Sequence, residues 1–124
     1  MSEKGKVEKA KELLEKLETT VPDIKGSAVV RTDGMTVVSA LSKDTDEKKV
    51  GAVAAALLGS SRRAGETLLD GEFHSLHLKL NNGDIFLMGA GKVMLAALTG
   101  KEPNVGYILL EMETTTEGLS GIFH

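Results

Sequence analysis

The sequence predicts a layered α/β (α+β) sandwich, one five-stranded and mainly antiparallel sheet with helices on its faces. Two hairpins and three amphipathic stretches predict it. The runs Ser27–Thr32 and Thr36–Leu41 flank Asp33-Gly34, and Phe73–Leu80 and Asp84–Ala90 flank Asn81-Asn82-Gly83. Strands joined by loops this short pair antiparallel, and helices with one apolar stripe must bury it on the sheet. The element order is then α-β-β-α-β-β-β-α.

The first element is a helix over Ser2–Glu18, because Val7, Ala10, Leu13, Leu14 and Leu17 recur at spacings of three and four. Ser2 caps it, and Lys4/Glu8 and Glu12/Lys16 add oppositely charged pairs one turn apart. Thr19, Thr20 and Pro22 stop it, since proline disfavours a helical residue before it. From Lys25 the period shortens to that of strands, and Asp33-Gly34 supplies the positive φ of a tight turn. A helix over Asp46–Leu69 follows, with Thr45 or Asp46 as its cap. The second hairpin leads through Gly89-Ala90-Gly91 to a fifth strand, Val93–Thr99. After Pro103, Asn104 can cap a third helix carrying Val105, Ile108, Leu109 and Met112, although Tyr107–Leu110 and Thr114–Thr116 also suit a strand. Residues 1–124 read as one domain, with 118–124 expected to fray. Turn positions are expected at Asp33, Gly34, Asn82, Gly83, Asn104 and Gly106.

The long central helix has two faces. Val50, Val53, Leu57, Ala64 and Leu68, with Ala54 and Leu58 beside them, form the stripe expected on the sheet. Opposite them, Gly51, Ala55 and Gly59 make one row of small residues and Ala52, Ala56 and Ser60 another, so charge is absent from Val50 to Ser61. A helix apolar all round is buried all round. One small domain cannot cover both sides, and small residues let two helix backbones approach closely. Homodimerisation through this helix is therefore expected.

Composition narrows the function. The 124 residues hold Lys+Arg 15 against Asp+Glu 18, a net charge of −3, no Cys and only four aromatic residues. A mildly acidic chain lacks the basic footprint of nucleic-acid binding. Without cysteine there is no disulfide framework or thiol chemistry, which fits a cytoplasmic setting. The apolar runs around Val53–Leu58 and Val93–Leu98 fall far short of the ~20 residues of a membrane span.

Chemical motifs are weak. Gly89-Ala90-Gly91-Lys92 suggests a phosphate loop, but Phe86 and Val93 occupy the places of its first glycine and its hydroxyl, so it reads as a strand corner. His74 and His77, three apart on a strand, project to opposite faces and cannot readily share a metal ion. On an edge strand they would lie near a dimer seam and make polar contacts. Ser60, Ser61 and Ser120 lie in no Gly-x-Ser-x-Gly elbow. The expectation is a protein without enzymatic activity, metal or cofactor. Arg62 and Arg63 follow the bare helix segment and are candidate partner contacts, with helix-end solubility as the plain alternative.

The leading helix, Gly26 with Ser27–Arg31 closing on Asp33-Gly34, the alanine-rich central helix, and Val93–Leu98 followed by Asn104-Val105-Gly106 resemble the Roadblock/LC7 family in this order and spacing. The resemblance covers nearly the whole chain and is to compact, prokaryotic-type members. It implies a five-stranded antiparallel sheet with the central helix on one face and the terminal helices on the other. It also implies dimers through the central helix and the neighbouring edge strand, here Gly51, Ala52, Ala55, Ala56 and Gly59 with Phe73, His74, Ser75, Leu76 and His77. Family members, by the same implication, are scaffolds or regulators that dock small Ras-like GTPases, including bacterial GTPase-activating proteins, subunits of dynein motors and lysosomal signalling complexes. The expected function is a homodimeric, cytoplasmic platform for a small Ras-like GTPase, tethering it or activating it indirectly. The alternative is a profilin-like or PAS-like module sensing a small ligand, against which the scattered Phe73, Phe86, Tyr107 and Phe123 argue.

Overall fold

The computed structural model describes residues 2–124. Helix α1 spans Glu3–Thr20, and the Ser2 hydroxyl accepts a hydrogen bond from the Gly5 N–H at 3.0 Å. Strands β1 (Ile24–Arg31) and β2 (Thr36–Ala40) form the first hairpin, with Gly34 at φ 93° in its turn. Helix α2 spans Glu47–Leu69 and is capped by Asp46, whose carboxylate accepts from the Lys48 N–H at 2.9 Å. Strands β3 (Ser75–Leu80), β4 (Gly83–Ala90) and β5 (Val93–Thr99) follow, and helix α3 spans Val105–Ile122 behind its Asn104 cap. The order α-β-β-α-β-β-β-α is as expected.

All strand pairs are antiparallel, and the sheet runs β2-β1-β5-β4-β3. The chain crosses from β2 to β3 by way of α2, so the two hairpins lie on either side of β5. Directly opposed residues share a face, and the register therefore sorts the side chains into two layers. On one face Val29, Phe86, Met88, Leu95 and Ala97 pack against α1 and α3 through Leu14, Leu17, Ile108, Met112 and Leu119. On the other, Ala28, Val30, Leu87, Met94 and Ala96 pack with Ala54 and Leu58 of α2. The central helix thus covers one face and the terminal helices the other.

Three local expectations change. Residues 118–124 do not fray: α3 continues to Ile122, and Leu119 is fully buried in the main core. Its threonines fit a helix because Thr115 and Thr116 donate their hydroxyls to the carbonyls of Glu111 and Glu113. Gly106 lies inside the first turn of α3 rather than at a chain turn. The second hairpin turns on Asn81-Asn82, while Gly83 is already the first residue of β4, paired with Leu80. Gly83 has φ 149°, and a Cβ there would stand 2.2 Å from the Thr99 carbonyl oxygen, so only glycine fits.

Candidate functional site

Helix α2 packs on β1 and β2 and reaches β5, but it stops short of the far side of the sheet. An apolar groove of about 170 Å³ is left beside it, walled by Val53 and Leu57 of the helix and floored by Ile85, Leu87, Ala96 and Leu98 of β4 and β5. The register carries this surface outward, because Leu76 opposes Leu87 and Leu78 opposes Ile85. Strand β3 is the edge of the sheet and has no neighbour beyond it. Val53 is 48% exposed and Leu80 49% exposed. A continuous apolar face bordered by an unpaired edge strand has the form that can receive another polypeptide chain.

The stripe of α2 on the sheet differs from the expected one. The buried residues are Gly51, Ala54 and Leu58, whereas Val53, Ala64 and Leu68 are exposed. The two rows of small residues also separate. At about 3.6 residues per turn, each step of four advances about 40° around the axis, so the row Gly51, Ala55, Gly59 winds from buried through half-buried to exposed. Gly51 faces its own chain: a Cβ there would lie 2.2 Å from the carbonyl oxygen of Gly34 and 2.9 Å from Thr36 Oγ1. Ala55 packs on the same hairpin, 3.5 Å from a Cβ built at Gly34. A Cβ at Gly59 would meet nothing within 4 Å beyond its own helix backbone, and Ala52, Ala56 and Ser60 are exposed. The outward row is therefore the second one.

The Roadblock/LC7 domain family model matches residues 9–99, well over half of the chain. The chain belongs to the Roadblock/LC7 domain family. It is 31% identical over 100 residues to the uncharacterized protein MJ1340 of Methanocaldococcus jannaschii, covering 81% of this chain and 88% of that one. Among solved structures it is similar to a Roadblock/LC7 domain from Streptomyces avermitilis, at TM-score 0.83 and 22% identity over 89% of this chain and 93% of that one. It is also similar to MglB of Myxococcus xanthus, at TM-score 0.85 and 15% identity over 94% and 88% of the two chains. At these identities the two structures establish the fold.

On this Roadblock/LC7 scaffold the histidines are already engaged. Strand β3 begins at Ser75, so His74 lies ahead of it and strand alternation does not govern its direction. It reaches α3, where its Nε2 sits 2.8 Å from Glu113 Oε1. His77, on the strand, stacks on Phe86 with ring centroids 4.3 Å apart, and its Nε2 lies 2.6 Å from the buried Asp84 carboxylate. Both histidines thus serve the α3 side rather than opposite faces, and Leu76 between them faces the open groove. Among the described residues no group of three or more His, Cys, Asp and Glu could hold a metal ion. Gly89-Ala90-Gly91-Lys92 forms the β4–β5 corner, with Gly91 at φ 71° and the Lys92 N–H donating to the Phe123 carbonyl at 3.2 Å. Arg62 and Arg63 are both exposed. No helix among the described residues is long and apolar enough to cross a membrane.

The open face itself was hidden in the sequence. Strand β4 is apolar at Ile85, Phe86, Leu87 and Met88 without alternation, and such a run does not say which of its two faces lacks a cover.

Proposed function

We propose that the protein is a non-enzymatic, cytoplasmic, homodimeric scaffold or regulator that binds a small Ras-like GTPase, either tethering it or activating it indirectly. One observation carries the dimer: the apolar face beside α2 runs without interruption to the unpaired edge of β3. A second copy placed there buries Val53, Leu57, Leu76 and Leu78 and can extend the sheet through β3. In this reading Ala52, Ala56 and Gly59 allow close helix approach, Phe73, His74, Ser75 and His77 flank the seam, and Gly51 and Ala55 support the helix from within. Arg62 and Arg63, exposed beyond the bare segment, are offered to the GTPase. Membership of the Roadblock/LC7 family supports the choice of partner, since the resemblance implies docking of such GTPases.

A ligand-sensing module of profilin or PAS type has less support. The groove is lined by aliphatic side chains and Lys49, without the convergent polar groups that fix a small ligand.

Light scattering at micromolar concentration is expected to give twice the 13.1 kDa chain mass, and Val53→Glu to give the monomer with an unchanged circular dichroism spectrum. A monomeric wild type refutes the dimer. Calorimetry against the small GTPases encoded near the gene, in both nucleotide states, is expected to show binding; no binding to any of them refutes the partner.

A further inference from the structure

At the end of the sheet formed by the β1–β2 and β4–β5 turns lies an open groove of about 920 Å³ that shares no residue with the apolar face beside α2. Four cations line it, Lys6, Arg31, Arg62 and Lys92, against the two carboxylates of Glu3 and Asp33. The chain as a whole carries −3, so this is a local reversal of sign. Both carboxylates are already engaged, Asp33 with Arg31 at 2.9 Å and Glu3 with Lys6 at 3.9 Å. Among the described residues Arg62 and Lys92 form no ion pair.

The walls of the groove are fixed before any ligand arrives. Asp33 Oδ1 accepts from the Met35 N–H at 3.0 Å beside Gly34, and the β4–β5 corner is tied to the end of α3 by the bond from Lys92 N–H to Phe123. A preformed wall spares a ligand the cost of ordering it. Val37, Val93 and Phe123 line the same groove, as does Met35, which is 61% exposed.

We infer that this groove docks an acidic, extended peptide segment of a protein partner, one that carries apolar side chains as well as carboxylates. Charge complementarity selects the occupant. The cations stand on four separate parts of the fold, α1, β1, α2 and the β4–β5 corner, around a groove of about 920 Å³, far larger than a single inorganic anion fills. A flat bilayer does not enter a concave groove. The apolar side chains of the lining, Val37, Val93 and Phe123, then give such a segment both halves of its contact.

Selection of random peptides displayed on phage against the wild-type chain, followed by fluorescence anisotropy on a synthetic peptide from the enriched pool, tests this. The pool is expected to be rich in Asp and Glu. The double variant Arg62→Ala/Lys92→Ala is expected to weaken the peptide by about tenfold or more, and Lys9→Ala/Lys48→Ala, with the same charge change on exposed positions elsewhere, to stay within about twofold. Circular dichroism checks that both variants fold. A pool without acidic enrichment, equal binding by the first variant, or equal loss in both variants overturns the inference. So does binding of inorganic phosphate or phosphatidylserine vesicles through Arg62 and Lys92 with no acidic peptide selected. No GTPase enters the measurement, so its failure is separate from failure of the proposed function.

Discussion

Gly51 and Gly59 stand two turns apart on one helix and are opposite in consequence. At Gly51 a methyl group would strike the Gly34 carbonyl, and relief requires the hairpin and α2 to part. At Gly59 it would meet nothing. Gly51→Ala is expected to cost about 1–3 kcal/mol, and Gly59→Ala, placed in the Val53→Glu monomer where no second helix meets it, to add nearly 1 kcal/mol from helix propensity alone, both read by urea unfolding. Glu18 offers a second test at this scale. Burial raises its pKa above the ordinary 4.5, opposed by the hydrogen bond from Ser27 and the charge of Lys11 and reinforced by Glu15. The native state therefore holds this proton more tightly than the unfolded chain does. Its contribution to stability is full below the ordinary value and is lost as pH rises through the raised native one. Glu18→Gln keeps an oxygen for Ser27, which donates at 2.5 Å, and is expected to flatten that part of the pH profile of unfolding. Such residues show which positions the sequence exposes to reading. The caps Ser2, Asp46 and Asn104 and the turn glycine Gly34 act on neighbours a few positions away, and each was legible. Gly51, Gly83 and Glu18 answer to groups on other elements, and no local pattern announces them.

Helices α2 and α3 show the same division one level up. Their starts follow from the caps, and the strands from turn residues and period, although β1 begins at Ile24 rather than Ser27 and β3 at Ser75 rather than Phe73. What the period of α2 could not decide was how far the sheet reaches beneath it, because apolar residues occupy its whole circumference from Val50 to Ala56. The sheet takes the stripe of Gly51, Ala54 and Leu58 and leaves Val53 to the groove. For α3, the Thr114–Thr116 run suggested a weak end, yet the main core claims the last turn through Leu119. Leu119→Ala is accordingly expected to cost about 2–5 kcal/mol in denaturant unfolding, a loss that a frayed tail would not show.

At the scale of the molecule, stability and association are coupled if two copies share the face beside α2. The melting temperature of the wild type is then expected to rise with protein concentration, and that of Val53→Glu to stay constant, by calorimetry over a hundredfold range. The two margins of the sheet also differ in what they permit. At one margin β2 is five residues long and irregular in register with β1, and Lys11 of α1 donates to its Ser39 carbonyl. Short, irregular, covered strands resist further pairing. At the other margin β3 runs for six residues with no neighbour on its outer side. A sheet with one receptive margin can grow by a single addition: once a copy joins at β3, β2 lies at both ends of the product. In the proposed dimer growth would therefore terminate at two, with the asymmetry between β2 and β3 as a chain stopper against fibres.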